Sequence, residues 1–154
     1  RQGPEYLEEL VRHHVSGQLK LAPEHCVLSV LELMGKPGTG SLLEFRDAFA
    51  RISRLAGKRQ FLTYYFLAAH PGCTESHMKR LRDFVREHLK LTPEQVQIFT
   101  PTPSTLSTLM YWTGKDPASG EPIYVERDPK RKQAQKDILT RPQGQGHEKR
   151  PSKR

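Results

Sequence analysis

The stretch Phe61–Cys73, FLTYYFLAAHPGC, decides the fold, because residues 61–69 carry no charge and are rich in aromatic and aliphatic side chains. An uncharged run of this length, ended by turn residues such as Pro71 and Gly72, is typical of a strand buried on both faces of a parallel sheet. Thr74 then begins a helical pattern with apolar residues at steps of three and four. Strand, turn and helix in this order predict a crossover unit of an α/β fold.

Two further strand-and-helix units flank this stretch. The predicted strands, in chain order, are Gly17–Pro23, Phe61–Ala69 and Val96–Thr100. Each is followed by turn residues and then by a helical pattern. Because strands that alternate with helices form parallel sheets with right-handed crossovers, the sequence predicts three adjacent parallel strands in chain order, with the helices on one side.

The helical segments carry start and stop signals. Ser41 and Glu44 form a capping box before an apolar stripe, and Gly57 provides a stop, so a helix is predicted between these positions. Thr74 is the predicted cap of the helix that follows the central strand. The loop 35–41, GKPGTGS, resembles a phosphate-binding loop, but it lacks the GxxxxGK[ST] order and follows a helix, which favours a connector between two helices.

Positive charge is concentrated towards the C-terminus. The 154 residues carry 25 Lys and Arg against 17 Asp and Glu, a net charge of +8. From Lys115 onward there are 11 basic and 6 acidic residues, so this segment holds +5 of that charge. The composition predicts an α/β body over 1–113, an extension over 114–140 packed on the body, and a disordered basic tail over 141–154. The apolar residues expected to anchor the extension are Tyr124, Val125, Ile138 and Leu139.

Several classes of protein are disfavoured by the sequence. The two cysteines, Cys26 and Cys73, stand far apart without a CxxC partner, so they predict neither a disulfide framework nor a zinc site. No segment has the apolar length of a membrane span, and there is no secretory signal. We therefore expect a cytoplasmic protein without a membrane partner.

Polar residues stand at the predicted carboxyl ends of the strands. Lys20 lies mid-strand between two leucines, and Glu24 follows four residues later, so the two are expected to share one side of the strand, where Lys20 either pairs with Glu24 or contacts a ligand. His25, His70 and Thr100 follow the same or neighbouring strands. Since parallel strands end at one edge of a sheet, these five side chains are expected to gather in one concave surface.

Longer phrases in the chain resemble a known family. They are HHVSGQLKLAPEHC, MGKPGTGS, YYFLAAHPGCT, QVQIFTPTPST and MYWTGKDP, and the resemblance that they carry covers the chain from Pro4 to about Leu139. These phrases resemble the second half of a radical S-adenosylmethionine (radical-SAM) barrel, in an uncharacterised family of large radical-SAM iron–sulfur proteins with a basic C-terminal extension. A more distant likeness runs to the tRNA methylthiotransferases.

The resemblance implies a partial (β/α)6 barrel, in which this chain supplies the fourth, fifth and sixth strands. Radical-SAM enzymes hold a 4Fe–4S cluster with three cysteines in a loop after the first strand. That motif is absent from this sequence, so the chain alone is expected to be inactive and to bind no cofactor stably. The resemblance also implies S-adenosylmethionine contacts at Lys20, Glu24, His70, Gly72, Phe99, Thr100 and Pro101.

Two functions from different classes follow. The first is a piece of a radical-SAM iron–sulfur enzyme, whose partner is the missing N-terminal half of the same chain and whose substrate the resemblance does not name. Three strands are few for a parallel sheet, and the chain starts at Arg1 directly before a helix, which agrees with a piece of a longer protein. The alternative is a basic α/β module that binds RNA or another acidic partner through phosphate contacts.

Overall fold

A computed structural model describes residues 3–141. The strands are β1 Gln18–Glu24, β2 Phe61–Ala68 and β3 Gln95–Ile98. The helices are α1 Gly3–Glu9, α2 Leu28–Leu33, α3 Thr39–Leu55, α4 Glu75–Phe84, α5 Leu106–Thr113 and α6 Pro129–Thr140. Two of them continue as π-helical turns, α1 over Leu10–His14 and α4 over Val85–Leu89. No helix in this part of the chain is both long and apolar enough to cross a membrane.

The three strands form one parallel sheet in the order β1-β2-β3. Leu19 lies opposite Leu62, and Phe66 lies opposite Val96, so the apolar rows of neighbouring strands are in register. The predicted strand order and direction are confirmed. The pattern was readable because the residues of β2 are apolar enough to require burial at the centre of the sheet.

All helices that pack on the sheet use the same face of it. The larger apolar core joins α2, α4 and α6 to Tyr64, Phe66, Ala68 and Val96. A smaller core joins α1 and α3 to Leu19 and Leu62, which belong to the same row. Phe66 is fully buried at the centre of the larger core.

The opposite face of the sheet is left open by residues 3–141. Its row alternates with the buried one and is mostly polar: it contains Gln18, Lys20, Thr63, Tyr65, Gln95 and Gln97, together with the apolar Phe61 and Leu67. Gln18 Nε2 donates to Thr63 Oγ1 over 2.8 Å across this face. Lys20 is exposed here, since it points away from the helices that bury Leu19.

The two predicted helix caps have different outcomes. Thr74 caps α4 with a capping box, in which His77 N–H donates to Thr74 Oγ1 and Thr74 N–H donates to His77 Nδ1. The prediction at Ser41 is wrong, because α3 begins at Thr39 and its N-cap is Gly38, without a side-chain cap. Ser41 therefore lies inside the first turn. The loop 35–38 does connect two helices, as expected.

The extension packs on the body through α6. Leu139 is buried in the larger core, and Ile138 is half-buried beside it, while Tyr124 is 44% exposed. Asp128 caps α6 by accepting from the backbone N–H groups of Lys130 and Arg131. The predicted tail lies outside the described residues except for Arg141.

Candidate functional site at the carboxyl edge of the sheet

Unusual backbone conformations cluster where the strands end. Glu24 and Ala69 have φ values of 64° and 58°, and they lie at and just after the carboxyl ends of β1 and β2; Ser104, with φ 62°, lies in the loop between β3 and α5. A residue with a side chain is held in this region at a cost of about 1–3 kcal/mol, and such positions concentrate at functional sites. A functional site is therefore expected at the carboxyl edge.

A buried polar network joins this edge to α6. His25 Nδ1 accepts from Val27 N–H at 3.0 Å, so the neutral ring carries its proton on Nε2, 3.6 Å from Cys73 Sγ. Cys73 Sγ also lies 3.6 Å from Gln135 Oε1, which accepts from Ala69 N–H at 3.1 Å. The network fixes the turn after β2 to the extension.

Burial sets the protonation of this network. It lowers the pKa of His25 from 6.5 to about 3, and the nearby His77, His70 and Arg80 act in the same direction. Burial also raises the pKa of the Cys73 thiol to about 12. At neutral pH the histidine is neutral and the cysteine is a thiol, so the pair is not a thiolate nucleophile.

His70 occupies a second buried polar position. Its Nδ1 lies 2.8 Å from the Pro71 carbonyl, which can only accept, so Nδ1 carries the proton. Its Nε2 then accepts from Ser107 Oγ at 2.8 Å, which ties the turn after β2 to α5. Burial lowers the pKa of His70, although the bond to Pro71 opposes this shift.

The extension also holds Gly72. Gly72 N–H donates to the Tyr124 carbonyl at 2.7 Å. Gly72 has φ +84°, and a Cβ there would lie 2.3 Å from Leu33 Cδ1. The Tyr124 hydroxyl donates to buried Glu126; desolvation opposes ionisation of that carboxyl, but this bond and backbone N–H donors lower its pKa.

Four aromatic rings lead from this buried region to the surface. The rings of His70 and Phe99 have centroids 5.3 Å apart, and Phe99 and Tyr111 lie 5.8 Å apart. Tyr111 in turn contacts Trp112, with centroids 5.5 Å apart. The column ends at Trp112, which is 70% exposed.

The predicted site residues divide by accessibility. Lys20 and Thr100 are exposed, and Glu24 and Pro101 are half-buried. His70, Phe99 and Gly72 instead take part in the packing of the edge: the side chains of His70 and Phe99 are buried, and the Gly72 N–H is bonded to Tyr124.

Two expectations about these residues are wrong. The five side chains do not gather in one concave surface: Lys20 and Thr100 are exposed, whereas His25 and His70 are buried. Lys20 and Glu24 do not pair: the strand bends between Leu21 and Glu24, and Glu24 instead lies 3.4 Å from Lys36 Nζ. The positive φ of Glu24 turns its side chain away from the alternation on which the prediction depended.

Sequence reasoning missed three residues of this edge: Ser107, Glu126 and Gln135. Gln135 could have been found, since it stands three and four residues before Ile138 and Leu139 and therefore shares the buried stripe of α6. Ser107 and Glu126 have no such signal, because their burial depends on contacts between segments distant in the chain.

Among residues 3–141 no group of three or more His, Cys, Asp or Glu side chains could hold a metal ion. Cys26 is half-buried, and burial raises the pKa of its thiol to about 11. Neither cysteine has the surroundings of a metal-binding thiolate.

Comparison with known proteins supplies a group of relatives. Residues 94–146 match the model of a domain of unknown function, DUF3362. A UPF0313 protein of Fusobacterium nucleatum is 53% identical over 138 residues, which are 90% of this chain and 24% of that protein. The chain is similar to UPF0313 proteins along most of its length. The UPF0313 protein of Geobacter sulfurreducens is 49% identical over 88% of this chain and 22% of its own length, and that of Methanosarcina mazei is 47% identical over 88% and 21%.

The chain spans about a fifth to a quarter of the length of the UPF0313 relatives it matches. The matched region includes all three strands and the buried network, since it covers about nine-tenths of the chain. The names of these relatives state no activity.

Proposed function

We propose that this chain forms the fourth to sixth strands of a radical-SAM barrel in a longer enzyme. The observation that carries the proposal is the open, polar face of a parallel sheet whose other face is covered by helices. Parallel sheets are almost always covered on both faces, or closed into a barrel whose interior is filled. In a barrel the row that contains Lys20, Thr63 and Gln97 would face the interior.

Two further observations agree with a partial barrel. The strands follow one another in chain order without an inserted strand, which is the arrangement of consecutive β/α units around a barrel. The UPF0313 relatives are four to five times longer than the matched region, which leaves room for further strands.

The iron–sulfur cluster does not fit the residues of this chain. A 4Fe–4S cluster needs several cysteine thiolates, and this sequence has two cysteines. Cys73 is buried against His25 and Gln135, and both thiols have raised pKa values. The cluster is therefore assigned to another part of the longer protein, and no step is assigned to it here.

S-adenosylmethionine fits the accessible part of the carboxyl edge better than the cluster fits the two cysteines. This cofactor supplies radical chemistry when it is bound at such a cluster, and its sulfonium, amino and carboxylate groups need charged or polar partners. Lys20 offers an exposed ammonium group on the open face, and Thr100 offers a hydroxyl at the end of β3. Glu24, already beside Lys36, offers a carboxylate at the end of β1.

The proposal is tested on the longer protein that contains this chain. After anaerobic reconstitution with iron and sulfide, we expect a bound 4Fe–4S cluster and, with reductant, conversion of S-adenosylmethionine to 5′-deoxyadenosine. The chain of 154 residues, treated identically, should retain no cluster, as judged by iron analysis and absorbance. Absence of both cluster and product in the longer protein would refute the proposal.

Site residues are tested by binding of S-adenosylmethionine to variants of the longer protein. Glu24→Ala and Lys20→Met should each weaken the binding of S-adenosylmethionine, with little change in the melting temperature. Glu44→Ala is the matched control, since Glu44 is an exposed carboxylate on α3. Equal affinity in all three variants would remove Glu24 and Lys20 from the site.

A further inference from the structure

Aromatic and basic side chains meet on one surface beside the carboxyl edge. This aromatic–basic surface consists of Tyr111 and Trp112 at the end of α5, and Arg127 and Lys132 at the start of the extension helix. The Arg127 guanidinium donates to the carbonyls of Tyr111 and Trp112, at 2.7 and 3.2 Å. Segments 15 to 21 residues apart in the chain are therefore fastened together here.

The Tyr111 ring is held between fixed neighbours. Phe99 contacts it from the buried side, Lys132 Nζ lies 4.5 Å from the ring centroid, and Arg127 Cζ lies 5.7 Å from it. Lys132 Nζ also donates to the Tyr111 hydroxyl at 3.2 Å. A ring already held in this way loses little further freedom when a ligand stacks beside it.

Trp112 is the exposed end of the same column. It is 70% exposed, although tryptophan side chains are highly buried on average. Its ring is perpendicular to that of Tyr111, at an interplanar angle of 84°. The exposed indole offers a flat surface on which a planar ligand can stack, and the fixed Tyr111 ring supports it from the side.

The two basic side chains beside these rings form no ion pair with any other described residue. Within residues 3–141, neither Arg127 nor Lys132 lies within salt-bridge distance of an acidic side chain. The segment from Lys115 onward carries 11 basic and 6 acidic residues. A ligand that suits this surface is therefore both planar and anionic.

We propose that the aromatic–basic surface binds single-stranded nucleic acid. A base would stack on the exposed Trp112 ring, and phosphates would contact Arg127 and Lys132 beside Tyr111. Bases within a duplex are already stacked on one another, so a single strand meets the aromatic rings better. The proposal does not depend on radical-SAM chemistry, since binding is measured on this chain without cofactor.

A protein partner is the other occupant to be distinguished. Leu106 and Leu109 extend the exposed face of α5 beside Trp112, and they carry no charge. However, an apolar protein surface laid over Tyr111 would remove Lys132 and Arg127 from water without providing counter-charge, which costs free energy. The charged rim favours the nucleic acid.

Trp112 is the sole tryptophan of the sequence, so its fluorescence reports on this surface alone. We expect oligouridine of about twelve nucleotides to quench it in a saturable way, because single-strand sites span about 4–16 nucleotides. Oligodeoxythymidine of the same length distinguishes RNA from DNA, and the matching duplex should bind more weakly than either strand. Affinity should fall as salt is raised.

Variants are compared by anisotropy of a labelled oligouridine, which does not require the tryptophan. Trp112→Ala should weaken binding roughly ten-fold, within the range for loss of one stacked base. The control Tyr6→Ala removes an aromatic side chain that is 69% exposed on α1, and it should leave affinity unchanged.

The charges are tested by Arg127→Gln with Lys132→Gln. Loss of two phosphate contacts should reduce the slope of log affinity against log salt by about 1.4. The matched control, Arg51→Gln with Arg86→Gln, removes the same charge from α3 and from the turn after α4. Thermal melts confirm that each variant is folded.

Three results would overturn the proposal. The first is unchanged affinity in Trp112→Ala, which would locate any binding elsewhere. The second is an equal loss in both double variants, which would show that only net charge matters. The third is fluorescence that changes with protein concentration but not with oligonucleotide, which would identify a second copy of the chain as the occupant.

Discussion

The helix-covered face of the sheet and its carboxyl edge both contain buried side chains, but of different kinds. On the covered face the buried side chains are apolar: Phe66, Met78 and Leu81 are fully buried and need no partner. At the edge, His25, His70 and Gln135 are buried just as deeply, and each is hydrogen-bonded. No buried side-chain nitrogen or oxygen among residues 3–141 lacks a partner.

The two kinds of buried side chain contribute differently to the folded protein. Burial of apolar area drives folding wherever it occurs, whereas a buried polar group contributes little net stability and is costly if a partner is lost. A network of buried polar groups at the ends of the strands therefore specifies the arrangement of α5, α6 and the turn after β2. Substitutions in the core should therefore lower stability, and substitutions at the edge should disturb the arrangement of these segments.

The largest effect is expected in the core. Phe66→Ala should lower the free energy of unfolding by about 3–5 kcal/mol, because it leaves a cavity at a fully buried aromatic position. Phe61→Ala, in the same strand, is the control, since Phe61 is 58% exposed. Urea denaturation followed by circular dichroism measures both. Similar losses in the two variants would contradict the assignment of the buried row.

Lowering the pH should destabilise the carboxyl edge, which holds buried histidines, and should not affect the apolar core. The pKa values of His25 and His70 are lowered in the folded state, so below pH 6.5 the unfolded chain takes up protons that the folded chain does not. Stability should therefore fall as pH drops from about 7 to 5, by up to about 1.4 kcal/mol per pH unit for each histidine.

The pH prediction is checked by denaturation at several pH values. His25→Asn keeps an acceptor for Val27 N–H but cannot titrate, so its stability should change less steeply than that of the unaltered chain. The window stays above the range in which Glu126 is protonated, since the pKa of that carboxyl is lowered. A flat profile in the unaltered chain would mean that the buried histidines accept protons in place.

Removal of Gln135 tests the network directly. Gln135→Ala leaves the buried Ala69 N–H without its acceptor and should cost about 1–3 kcal/mol. Gln133→Ala is the control on the same helix, because Gln133 is exposed and bonds only to the Asp137 carboxylate on the surface. If the two variants unfold at the same urea concentration, the extension does not depend on this contact.

Sequence reasoning succeeded where the composition of a single strand or helix is enough to explain why its residues are buried. The apolar run of β2 has to be buried, and the order of strands and helices then leaves a parallel sheet as the simple outcome. It failed where burial depends on distant segments: Gln135 meets Ala69 across 66 positions, and His70 meets Ser107 across 37. No local pattern encodes those contacts. The turn at Glu24 likewise changed the direction of a side chain that strict alternation placed beside Lys20.

The smallest effect distinguishes two caps that the sequence presents alike. Thr74 and Ser41 both precede helical patterns, yet only Thr74 accepts a backbone N–H, from His77 at 3.4 Å. Thr74→Ala should cost about 1 kcal/mol, the usual effect of losing a side-chain cap. Ser41→Ala should cost nothing, since Gly38 occupies the N-cap of α3 and alanine is the better residue within a helical turn. Thr74 also begins the helix that follows the turn holding Gly72, so its loss should loosen the carboxyl edge, with faster amide exchange at Cys73 and Gly72. If the two variants are equally stable, the turn is held by the extension, through the Tyr124 carbonyl, and not by the cap.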